Sequence, residues 1–138
     1  MNEYVEQVKE FLKKCNVKME IEYIGRGTNE EWDVGVECDM YRFTITTPRG
    51  AMTDIYHMNA HETKRGAPPT EVDILAALEK REHGTIENFV ENYGYEGEIH
   101  NWTDMKRIVR LYRIAMWQYK ELHRIFTSEQ VDTLYEIL

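Results

Sequence analysis

Tyr41-Arg42-Phe43-Thr44-Ile45-Thr46-Thr47-Pro48-Arg49-Gly50-Ala51-Met52 is the stretch that decides the fold class. Tyr41, Phe43 and Ile45 alternate with Arg42, Thr44 and Thr46, the period-two pattern of a half-buried strand. Pro48-Arg49-Gly50 is turn chemistry. Met52 to Met58 returns as a second strand, so the whole stretch reads as a hairpin. Upstream, Tyr4, Val5, Val8, Phe11, Leu12 and Cys15 recur at three- and four-residue steps, an amphipathic helix over 3–15 that Asn16 stops. From residue 17 the period changes to two. Val17, Met19, Ile21 and Tyr23 alternate with Lys18, Glu20 and Glu22, and Gly25 and Gly27 are expected to end that strand. Residues 28–39 stay open between a loop and a short edge strand: Trp32, Val34, Val36 and Cys38 alternate, but Gly35 and the surrounding acids interrupt them.

Downstream the period is helical. After a polar loop over 59–69, Thr70 and Asp73 resemble a capping box opening a helix through Lys80, with Val72, Leu75 and Leu78 inward. Gly84 stops it. Thr85 caps the next helix, which carries Ile86, Phe89, Val90 and Tyr93 and ends at Gly94. A long helix from about Thr103 to Ile125 has the apolar stripe Met105, Ile108, Val109, Tyr112, Ala115, Met116, Tyr119 and Leu122. Phe126, Thr127, Gln130 and Val131 fit a hydrophobic staple around a capping box. They open a last helix, Ser128 to Leu138, that buries Val131, Leu134, Tyr135 and Leu138. Grouped strands followed by grouped helices predict an α+β fold. It has an N-terminal helix, a small antiparallel sheet of roughly three strands and a four-helix C-terminal part with one long helix.

The 138 residues suit one domain, and the apolar fraction of 42% is that of a globular chain. No apolar run approaches the roughly 18 residues that cross a bilayer. The start, Met-Asn-Glu-Tyr-Val-Glu, lacks the basic and apolar regions of a signal peptide, so the expected location is cytoplasmic. Cys15 and Cys38 match no metal or redox spacing, and Cys15 falls on a helix's apolar side as a buried thiol. With 25 acidic and 17 basic side chains the net charge is −8, the opposite of the balance a nucleic-acid-wrapping protein carries.

The segments Pro69-Thr70, Asp73-Ile74-Leu75-Ala76, Leu78-Glu79-Lys80, Gly84-Thr85, Phe89 and Gly94-Tyr95 resemble a pattern common in small proteins of phages and mobile elements. There a strand like Tyr41–Ile45 and a short hairpin come first. A long helix, here Lys106 to Arg124, and an acidic capped helix, here Thr127 to Leu138, come after. The likeness spans residues 40–138 and weakly includes Trp32; it departs at Glu71-Val72 and across Gly97 to Trp102. Its positions are caps, turn glycines and core residues, so it transfers no catalytic residue. Some similar small acidic proteins are anti-CRISPR inhibitors. The resemblance therefore implies a protein that binds a host defence protein in a bacterial cell, such as a Cas nuclease or its RNA complex.

Catalytic motifs are lacking. No nucleophile elbow, P-loop or dinucleotide fingerprint appears, and Gly25-Arg26-Gly27 has neither the third glycine nor the following helix. His57 and His61, four apart with Glu62 adjacent, have a spacing that holds zinc on a helix. Here they fall at a strand end and loop, where solvated histidines are the plainer reading. No cofactor or metal is expected.

Charge is sorted along the chain. Between Glu82 and Asp104 lie six acids, Glu87, Glu91, Glu96 and Glu98 among them, and no Lys or Arg. Phe89, Tyr93, Tyr95 and Trp102 are interleaved with them. Carboxylates and aromatics so arranged can fill a cationic groove on a partner; equally, Phe89 and Tyr93 are core and the acids a solvated face. On the long helix Lys106, Arg110, Arg113, Lys120 and Arg124 share a wedge of roughly 80° with Trp117. That face suits an acidic partner, a nucleic acid with a base stacked on Trp117, or a homodimer; a plain solvated face is the bland alternative. The expected function is inhibition by occlusion of a defence protein. A nucleic-acid-binding or regulatory protein comes second and a small enzyme third. The candidate contacts are Glu87, Glu91, Tyr95, Glu96, Glu98, Trp102, Arg110, Arg113, Trp117, Lys120 and Arg124.

Overall fold

A computed structural model describes residues 3–28, 37–58, 66–80 and 102–138. In chain order these form α1 (Glu3–Lys14), β1 (Lys18–Thr28), β2 (Glu37–Thr47), β3 (Gly50–Met58), α2 (Glu71–Lys80), α3 (Trp102–Ile125) and α4 (Ser128–Ile137). The fold is α+β: an N-terminal helix, a three-stranded antiparallel sheet, then helices. The helix expected after Thr85 lies outside the described residues.

α1 buries Val8, Phe11 and Leu12 and has acids in its first turn and lysines in its last, matching the helix dipole at both ends. Asn16 ends it in a left-handed conformation, φ 53°. Val17 N–H then reaches back to the Leu12 carbonyl at 2.9 Å and Asn16 N–H to Lys13 at 3.2 Å, closing the last turn in a Schellman motif.

The sheet order is β1-β2-β3. On its helix-facing side Met19 pairs with Ile45, Ile45 with Met52, and Ile21 with Phe43. The outer side carries Glu20, Thr44 and Thr53 in one row and Glu22 and Arg42 in the next. Polar pairs hold that outer side: the Thr44 and Thr53 hydroxyls are 3.1 Å apart, and Arg42 meets Glu22 at 3.7 Å.

Two strand boundaries differ from those expected. β1 continues past Gly25 and Gly27 to Thr28. Its register shifts between Tyr23 and Gly25, and Gly25 adopts φ 111°, so the glycine absorbs a bulge and pairing resumes with Met40. Gly27 lies against the Met40 side chain, whose Cε would be 2.5 Å from any added Cβ. The two glycines therefore bend the strand and admit a neighbour instead of ending it. β2 begins earlier than expected: Glu37, Cys38 and Asp39 belong to the central strand. Residues 29–36, with Trp32, lie outside the described residues.

One core joins sheet and helices. It includes Phe43, Ile45 and Met52 from the sheet, Phe11 from α1, and Ile74 and Leu75 from α2. Leu122 and Ile125 of α3, then Phe126, Val131 and Leu134, complete it. The Phe11 and Phe126 ring centres are 5.9 Å apart. Both capping boxes form. Asp73 accepts from Thr70 N–H at 2.8 Å, and Gln130 and Thr127 exchange bonds of 3.1 and 2.9 Å. The hairpin turn grips the end of α3. Thr47 Oγ1 donates to the Ile125 carbonyl at 2.6 Å, Arg49 Nε to the Arg124 carbonyl at 3.3 Å, and Arg124 to the Ala51 carbonyl.

A candidate docking face on the long helix

Between Met105 and Lys120 the chain has five cations and no acid, against a net charge of −8 overall. The helical period sorts that segment into two sides. Inward, Ala115, Gln118, Leu122 and Ile125 are buried at steps of three and four residues. Outward, Arg110, Arg113, Trp117 and Lys120 are all exposed. They span roughly 80° of the helix and about 15 Å of its length. Among the described residues no ion pair engages Arg110, Arg113 or Lys120.

The orientation inverts the usual polarity at two adjacent positions. Trp117 is 44% exposed while Gln118, next to it, is 4% exposed. Hydrophobicity alone would rotate the helix by about 100°, one residue, and exchange them. Leaving that much indole in water forgoes about 2–3 kcal/mol of burial. Gln118 holds the rotation: its Nε2 donates to Asp54 Oδ2 on β3 at 2.6 Å, and Asp54 Oδ1 accepts the Ile55 N–H at 2.9 Å. The other amide oxygen, Gln118 Oε1, is buried with no protein partner. An unsatisfied buried acceptor is itself unfavourable, so this rotation is held against two local penalties.

The buried stripe of α3 differs from the expected one. Tyr119, expected on the buried stripe, is 37% exposed and packs against His123, ring centres 4.4 Å apart and tilted by 46°. Gln118 takes the inward place, because Asp54 on the helix-facing side of β3 offers it an acceptor. Pattern reading treats Gln as a surface residue and does not see a polar partner 64 residues away.

Of the residues singled out from sequence, α3 brings together Arg110, Arg113, Trp117 and Lys120. Arg124 lies on the same side but is engaged in the fold. It pairs with Glu121, which raises the guanidinium pKa above its ordinary value, and grips the Ala51 carbonyl. Trp102 is the first residue of α3. Glu87, Glu91, Tyr95, Glu96 and Glu98 lie outside the described residues. His57 is in β3, half-buried, and His61 lies outside the described residues. No group of three or more metal-ligating side chains occurs among the described residues.

A second exposed aromatic escaped the sequence reading. Tyr23 is 54% exposed near the middle of β1, just before the bulge that leads to the end of the sheet away from the hairpin turn, although the alternation puts it on the helix-facing side. Its ring lies 5.2 Å from Tyr41 and its hydroxyl donates to Asp39 at 3.1 Å, which raises its pKa above the ordinary tyrosine value. Arg26 crowns this end, 3.5 Å from Glu37 and 3.9 Å from Asp39. Both cysteines are free, and partial burial pushes the Cys15 thiol up.

No helix among the described residues is long and apolar enough to cross a membrane. No family model, curated protein or solved structure matches the chain.

Proposed function

We propose that this chain is a binding protein that inhibits a host defence protein by covering part of its surface, with the outward face of α3 as the contact. The observation that carries this reading is the inverted pair, Trp117 out and Gln118 in. An exposed indole ringed by Arg110, Arg113 and Lys120 has the make-up of an interface anchor: a large apolar group at the centre and charged groups at the rim. Contact, and not turnover, is what such a face performs. The likeness to phage and mobile-element proteins, some of them similar to anti-CRISPR inhibitors, makes a CRISPR nuclease the first target to test.

The test is a plaque assay on a host whose CRISPR system is active, with a cleavage assay on the purified nuclease. Expression of the chain should restore plaques and slow cleavage, and Trp117→Ser or Arg113→Glu should remove both effects while the melting temperature holds. Unimpaired inhibition by both variants would contradict α3 as the contact. The cationic rim also supports a second reading, direct binding of nucleic acid. That reading requires strongly salt-dependent affinity of the isolated protein for oligonucleotides.

A further inference from the structure

The outward side of α4 complements the α3 face in charge. Glu129, Asp132 and Glu136 are exposed on one side of α4, within roughly 60° of helix. The helix has no Lys, Arg or His. On the sheet and at the start of α2, acids are balanced or used where they stand. Glu20 meets Lys18 at 3.0 Å, Glu22 meets Arg42, Glu37 and Asp39 meet Arg26, and Asp73 closes a helix cap. In α1 the acids alternate with Lys9, Lys13 and Lys14. Among the described residues no ion pair engages the three α4 acids. The same chain thus presents a helix face of cations around an indole and another of carboxylates alone. Each repeats at a three-residue step: Arg110 and Arg113 on one, Glu129 and Asp132 on the other.

We infer that a second copy of this chain occupies the docking face: α4 of one molecule lies along Arg110, Arg113, Trp117 and Lys120 of another. This rests on reading α3 as the docking face, and it supplies the regulation of that face. Self-pairing and the external partner compete for the same residues, so partner binding takes copies apart by mass action. The overall charge of −8 repels like copies, but at physiological salt charge is felt over only about 8 Å, so the local match dominates at contact.

Sedimentation equilibrium of the full chain across a concentration series tests this. The wild type should show mass above that of one chain at high protein concentration, reduced by added salt. Reversing α3 (Arg113→Glu with Lys120→Glu) or α4 (Glu129→Lys with Asp132→Lys) should each weaken association by roughly tenfold or more. Carrying both reversals in one chain should restore it, because the faces match again with signs exchanged. Trp117→Ser should weaken it without altering the salt dependence. Circular dichroism melts identify any variant that fails to fold, and the restored double reversal guards against that explanation. A wild type that stays monomeric throughout, or a double reversal that stays monomeric, would overturn the self-pairing. A monomer that still loses inhibition with Trp117→Ser would leave the docking reading standing.

Discussion

The Thr47 hydroxyl donates to the Ile125 carbonyl across 2.6 Å, tying the end of the central strand to the last turn of α3. Thr47→Val keeps the shape and leaves that buried carbonyl without its donor, so it should cost about 1–2 kcal/mol and several degrees of melting temperature. Asp54→Ala acts two turns earlier on the same inward side of the helix. It strips Gln118 of its one protein partner and should cost about 1–3 kcal/mol. It should also loosen the rotation of α3, read as faster amide exchange around residues 115–122. Tyr23 gives a pH prediction. Its protonated form donates to Asp39, so its pKa is raised in the folded chain. The stabilisation from that bond is complete below the ordinary tyrosine value near 10 and is lost as pH climbs through the folded value. An ultraviolet titration should find Tyr23 ionising above the ordinary tyrosine value, as burial also makes Tyr4 do, and Asp39→Asn should bring Tyr23 down and leave Tyr4 in place.

Helix ends were the most legible elements in the sequence, because caps are local chemistry. Thr70 with Asp73, Thr127 with Gln130 and Asn16 each act within a few residues of themselves, and the structure has all three as read. Strand ends and helix rotation were less legible, because both depend on distant groups. Gly25 and Gly27 resemble stop signals until β2 is beside them, and Gln118 looks like a surface residue until Asp54 faces it. The caps also carry a prediction. Thr127→Ala removes one half of the box at the start of α4 and should cost about 0.5–2 kcal/mol by denaturant titration. At Gly50 the backbone has φ 147° and an added Cβ would lie 2.7 Å from Arg124 Nη1. Gly50→Ala should therefore destabilise by about 1–3 kcal/mol and release the grip of the turn on α3.

For the whole molecule, composition and period sufficed for α+β, since grouped strands and grouped helices leave few other arrangements. The cationic wedge of α3 was equally legible, being a matter of spacing alone. What spacing did not reveal is which of its members are free. Arg124 is spent on Glu121 and Ala51, whereas Arg110, Arg113 and Lys120 ring an exposed indole. The molecule keeps an indole in water and a glutamine in its interior, and the proposed function rests on that inversion. The direct measurement is acrylamide quenching of Trp117 fluorescence in dilute protein carrying Trp32→Phe and Trp102→Phe. The account predicts an indole open to the quencher and shielded once a partner covers α3. An indole already shielded in the dilute free chain would contradict it.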